Sequence, residues 1–190
     1  MTEMLRCFVA VPIDDAIRAA LSDSVAAWRH EPPVDALRWA DSSGWHLTLA
    51  FLGGLESEDV AACTHALRAV AAVHRPTEIV TSRLGAFPRL SSARVLWYGV
   101  ADPDGALVAI ADALGSALHL PSDGPFQAHI SLARARRRPV DLSGWIENAS
   151  AAAPEGRLRV ESLHLIRSHL GAGPARYETL ASLPLGGHAQ

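Results

Sequence analysis

His46-Leu47-Thr48-Leu49 and His129-Ile130-Ser131-Leu132 follow one pattern: histidine, apolar residue, hydroxyl residue, apolar residue. Each stands in a short apolar run, WHLTLAFL (45–52) and AHISLA (128–133), of the kind that forms a strand. Side chains alternate faces along a strand, so His46 and Thr48 share one side and Leu47 and Leu49 the other. The same parity sets His129 and Ser131 against Ile130 and Leu132. Each run therefore offers one imidazole and one hydroxyl to one side, backed by an apolar layer.

Working outward, the two runs occupy the same step of a longer repeat. In the first half, RCFVAVPI (6–13) reads as a buried strand, and Asp14 opens a helix with Ile17, Ala20, Leu21, Ser24, Val25 and Trp28 along one face. Pro32 and Pro33 end that helix, and a short strand (37–40) and a turn (41–44) lead into the first histidine strand, closed by Gly53-Gly54. In the second half, RVLWYGV (94–100) is a strand, Asp102-Pro103-Asp104-Gly105 a turn, and Leu107, Ile110, Leu114 and Leu118 the apolar stripe of a helix. A loop (121–125) then leads to the second histidine strand. Between the halves, Ser57 is the expected N-cap of a helix carrying Val60, Cys63, Leu67 and Val70, followed by a strand (77–84) and a crossing near 85–94. A helix within 142–152 and late strands at 158–166 and 176–183, joined through 171–174, complete the reading. The expected organisation is one domain, residues 1–190, of two similar lobes facing each other.

Composition narrows the chemistry. The 190 residues carry a formal net charge of −3, and all 17 basic residues are arginines. Coding bias accounts for that choice as readily as function does, but without lysine no Schiff base, Walker-type phosphate lysine or lysyl-nucleotide intermediate can form. Mild acidity argues against a broad nucleic-acid-coating surface, though not against a local phosphate site. The densest basic run is Arg134-Ala135-Arg136-Arg137-Arg138, in which a solvated loop is the plain alternative to a ligand site. Cys7 and Cys63 are too few for a disulfide framework. With no secretory leader pattern and no stretch of about 20 apolar residues, a cytoplasmic protein is expected.

Paired histidine–hydroxyl strands suit phosphate esters. Histidine titrates near neutrality, so one imidazole can act as base while the other acts as acid, and hydroxyls can donate to non-bridging oxygens. Two such motifs arise by accident in on the order of a few per cent of similar chains, and their matched placement in the repeat strengthens the reading. Zinc is the other use of paired histidines, but neither H-E-x-x-H nor C-x-x-C is present and no carboxylate stands at ligand spacing, so no metal is expected. The remaining histidines lack comparable context and read as surface or packing residues.

These motifs, with FVAVPI, RW, HLTLAFLG, GAFPR, RVLWYGV, PFQAHISLAR and RYETLASLPL in that order, make the sequence resemble the 2H phosphoesterase superfamily. More narrowly, it resembles the RNA 2′,3′-cyclic phosphodiesterases, also called the 2′-5′ RNA ligase family. The resemblance implies an α+β fold of two pseudo-symmetric lobes, each an antiparallel sheet with outer helices, around a central cleft. It implies metal-independent hydrolysis of RNA or nucleoside 2′,3′-cyclic phosphate to the 2′-phosphate, without a cofactor, with His46 as proton donor and His129 as proton acceptor. It further implies that Thr48, Ser131 and Arg134 bind phosphate, and that RNA 3′ ends or small nucleotides are the partners.

Strict alternation opposes Arg134, since it sets the side chain on the face away from His129 unless the strand bends. Phe51 and Phe126 are candidates for stacking on a base, with core packing as the alternative. Two departures stand out: Ser131 where threonine is usual, and Ala50 where lysine is common in relatives, the latter expected to weaken binding of further phosphates. Reverse 2′-5′ ligation could run only as reversal of cyclic-phosphate opening. The same chemistry on ADP-ribose 1″,2″-cyclic phosphate or 2′-5′ oligonucleotides is a second reading. A noncatalytic RNA-end-binding protein is a third, which two proton-transfer groups argue against.

Overall fold

A computed structural model describes residues 3–121, 124–169, 171 and 175–186, and the backbone but not the side chain of Ser82. The expected loops at 121–125 and 171–174, the extreme N-terminus and His188 lie wholly or partly outside the described residues.

Nine strands, among the described residues, form one antiparallel sheet with helices against one face. The strands are β1 (Met4–Pro12), β2 (Leu37–Trp39), β3 (His46–Glu56), β4 (Thr77–Phe87), β5 (Val95–Ala101), β6 (His129–Ala135), β7 (Arg157–Val160), β8 (Ser162–His169) and β9 (Arg176–Pro184). The helices are α1 (Asp15–Trp28), α2 (Val60–Val73), α3 (Ala106–Ala117) and the short α4 (Ile146–Ala151). Strand order is β7-β4-β5-β6-β3-β1-β8-β9, with β2 also on β6. The α+β class and the paired half-sheets match the expected architecture. Strands β3 and β6, which join the two half-sheets, share one register pair among the described residues, Leu47 opposite Ile130.

Apolar side chains on one face explain this arrangement. Leu5, Cys7, Val9 and Val11 of β1, Leu47 of β3, Leu96 and Tyr98 of β5, and Ile130 of β6 are buried in one core. Closing it are Ile17, Leu21, Val25 and Trp28 of α1, Cys63, Leu67 and Val70 of α2, and Leu107, Ile110 and Leu114 of α3. Asp14 caps α1 by accepting from the Ile17 N–H at 2.8 Å, and the Asp102 carboxylate accepts from the Leu107 and Val108 N–H groups ahead of α3. Phe8, Ala10 and Ile166 form a separate small cluster on the opposite, open face.

Several expectations shift. Ser57 caps nothing: residues 57–59 form a 3₁₀ turn and α2 begins at Val60. Gly53-Gly54 do not end β3, which runs to Glu56 with Gly53 at φ +69°, a conformation open to glycine alone at little cost. The helix expected at 142–152 shrinks to Ile146–Ala151. The single late strand expected at 158–166 is two strands, β7 on β4 and β8 on β1, divided at Glu161. Apart from β2, which already lies on β6, the chain passes to the second half-sheet before β4 and returns at Glu161, so the transfer precedes the 85–94 stretch expected for it.

Candidate active site

The Leu47–Ile130 pair decides the geometry of the site. Both side chains are fully buried in the core, which turns their neighbours His46, Thr48, His129 and Ser131 to the open face. Antiparallel register continued one residue each way sets His46 across from Ser131 and Thr48 across from His129. The four side chains therefore emerge on one face around the contact between β3 and β6, near enough for His129 to act electrostatically on His46. The four residues brought together are those the sequence selects.

Both imidazoles are held in the same way. His46 Nδ1 lies 2.7 Å from the Gly44 carbonyl oxygen, and His129 Nδ1 lies 2.8 Å from that of Gln127. A carbonyl only accepts, so each Nδ1 carries hydrogen and each Nε2 is the free base of the neutral ring. Burial holds His46 below the ordinary histidine pKa; the Gly44 bond acts in the opposite sense, and the charges of His129 and Arg134 lower it further. His129 is likewise lowered by burial, raised by the Gln127 bond and lowered by Arg134. Two poised bases face an incoming anion.

Aromatic rings frame each imidazole. Phe8 stacks on His46 at 4.6 Å between centroids, and Tyr177 meets it edge-on at 5.1 Å. A Cβ on Gly44 would come within 2.9 Å of the Tyr177 ring, so glycine there lets the ring approach His46. Phe87 meets His129 edge-on at 4.9 Å, with Trp97 at 6.1 Å. Trp97 lies over Gly85, where a Cβ would stand 2.1 Å from the indole. Sequence reasoning assigned no role to these rings; Gly85 pairs with Trp97 across β4 and β5, a long-range register that local pattern does not reveal.

Arg134 reaches the open face through a β-bulge. Ser131 pairs with Trp97 and Ala133 with Leu96, leaving Leu132 as an extra residue that reverses the parity of the positions after it. Leu132 and Ala133 are both buried in succession, and Arg134 emerges exposed on the side of His129 and Ser131. The first motif carries the same device: Thr48 pairs with Ala10 and Ala50 with Val9, leaving Leu49 extra. There Phe51 takes the place that Arg134 holds in the repeat, exposed at 64 % on the open face, 6.3 Å from Phe8. Phe126, the other stacking candidate, is half-buried and packs against the main core.

The same register corrects the expectation for Ala50. It pairs with core residue Val9 and packs on the helix side, so a lysine there would not face the histidines. His164, read as lacking context, lies on the open face across from Ala10, with the Ser162 and Ser182 hydroxyls each 3.1 Å from its Nε2. Among the described residues, no group of three His, Cys, Asp or Glu side chains is placed to hold a metal ion. No helix among them is long and apolar enough to cross a membrane.

Comparison with known proteins places this geometry. A profile of the 2′-5′ RNA ligase superfamily matches residues 13–172. The RNA 2′,3′-cyclic phosphodiesterase of Escherichia coli K12 is 32% identical over 168 residues, covering 85% of this chain and 90% of that one. That of Archaeoglobus fulgidus is 28% identical over 169 residues, covering 87% and 92%. The crystal structure of E. coli LigT complexed with 3′-AMP superimposes with a TM-score of 0.77 at 26% identity, covering 96% of this chain and 99% of that one. With its motifs, its paired half-sheets and a profile match spanning most of its length, the chain belongs to the 2′-5′ RNA ligase superfamily.

Proposed function

We propose that the protein hydrolyses RNA or nucleoside 2′,3′-cyclic phosphates to 2′-phosphates by two-histidine acid–base catalysis. The observation that carries this is the emergence of His46, Thr48, His129 and Ser131 on one face around the Leu47–Ile130 pair, with each imidazole Nδ1 anchored on a carbonyl. Relatives named RNA 2′,3′-cyclic phosphodiesterase support it.

In the proposed step, His129 Nε2 takes a proton from water as the water oxygen attacks phosphorus. The P–O3′ bond breaks, and protonated His46 gives its Nε2 proton to O3′, leaving a 3′-hydroxyl and a 2′-phosphomonoester. Thr48, Ser131 and Arg134 donate to the non-bridging oxygens, where arginine's planar fork suits phosphate. The bound phosphate's charge favours imidazolium at His46, which burial otherwise keeps neutral. Phe51 offers its exposed ring to the terminal base. A 5′-hydroxyl in place of water would form a 2′-5′ linkage with the same groups. RNA 3′ ends and small cyclic nucleotides are the proposed partners, and the buried, unpaired Cys7 and Cys63 accord with a reducing, cytoplasmic setting.

The direct test is incubation of the purified protein with cytidine 2′,3′-cyclic phosphate in excess EDTA. Cytidine 2′-phosphate is the expected product; the 3′-phosphate, or turnover abolished by EDTA, overturns the reading.

A further inference from the structure

Arginines divide into two sets in this fold. Arg18, Arg157, Arg159 and Arg167 make the arginine–carboxylate ion pairs found among the described residues. Arg38 and Arg134 are outside that set, although both are exposed. Strand β2 pairs with β6 so that Arg38 stands directly opposite Arg134. Its neighbours Leu37 and Trp39 turn to the core, paired with Ala135 and Ala133, so Arg38 shares the open face with Arg134. Like charges directly opposed across two strands destabilise a sheet. No carboxylate among the described residues neutralises this pair. A bound polyanion would.

Position assigns the two cations different anions. Arg134 is brought to the open face by the bulge on the histidine strand itself and lowers the pKa of both imidazoles, whereas Arg38 stands on the neighbouring strand. Arg134 thus stands at the reacting phosphate and Arg38 one strand farther out, about 4.7–4.9 Å away in the pairing direction. Strand β2 lies along the same edge of β6 as β3, so Arg38 continues the line of the site.

We propose that Arg38 holds the phosphate on the 5′ side of the terminal nucleotide while Arg134 holds the cyclic phosphate, an inference that rests on the function proposed above. The enzyme then selects RNA ends, or nucleotides carrying a 5′-phosphate, over bare nucleoside cyclic phosphates.

The test compares cytidine 2′,3′-cyclic phosphate with the same compound bearing a 5′-phosphate. The wild type should favour the 5′-phosphorylated substrate by roughly tenfold in kcat/KM, chiefly through KM. Arg38→Gln should collapse that ratio toward one, and Arg38→Lys, which keeps the charge, should retain part of it. Arg134→Gln should slow both substrates and leave the ratio in place. A wild type without preference, or an unchanged ratio in a folded Arg38→Gln, overturns the assignment. Hydrolysis of neither substrate instead overturns the proposed function itself.

Discussion

His46 and His129 are set by identical local chemistry, and their titration should show it. Both lie below the ordinary value of 6.5, burial being the leading cause. The kcat/KM profile reports the free enzyme, so both of its limbs should fall below about pH 6.5. The kcat profile should sit higher, because bound phosphate stabilises imidazolium. Arg134 lowers both histidines; Arg134→Gln should therefore move the kcat/KM profile to higher pH while reducing the rate by about 10²–10³-fold. A profile unmoved by that substitution would separate Arg134 from the site. At this scale much was legible: spacing and strand parity selected both histidines and both hydroxyls. Arg38 was not, because its place depends on which strand β2 joins, a long-range pairing that local pattern does not reveal.

At the level of elements, the bulges at Leu49 and Leu132 give the motif its usable form. Each comes just after the hydroxyl residue and reverses parity, delivering Phe51 in one half and Arg134 in the other. Alternation alone set Arg134 on the wrong face, since a bulge forms through partner register as well as through the strand's own residues. The break at Glu161 was more readable: Leu158 and Val160 are buried at a spacing of two, Leu163 and Leu165 likewise, but Val160 and Leu163 stand three apart. That change of phase marks the switch between half-sheets. Gly85 tests the support behind Ser131 and His129. Gly85→Ala puts a Cβ into the Trp97 ring and should cost about 1–3 kcal/mol in thermal or denaturant unfolding, with lower activity. A second change, Trp97→Leu, should recover part of that stability; no loss in Gly85→Ala would show that the indole moves freely.

For the whole molecule, the proposed site is shared by two half-sheets joined at Leu47 and Ile130. Leu47→Ala and Ile130→Ala should each cost about 2–5 kcal/mol, and the double variant should cost less than their sum, because the residues touch across the seam. Strict additivity would contradict that joint. Acid stability has a definite sign as well. His46, His129 and His164 bind protons less readily folded than unfolded, so stability is fully present above about pH 6.5 and declines as pH falls through that value toward the lower folded pKa values. Thermal midpoints measured from pH 7.5 to 5.5 should fall accordingly. The central claim is that one proton-transfer group from each half acts on one phosphate. It is tested most directly by kcat/KM on cytidine 2′,3′-cyclic phosphate for His46→Ala, His129→Ala and the double variant. Each single variant should lose at least about 10²-fold, and the double should lose far less than the product of the two, since the groups act in one step. Full activity in either single variant would contradict the account.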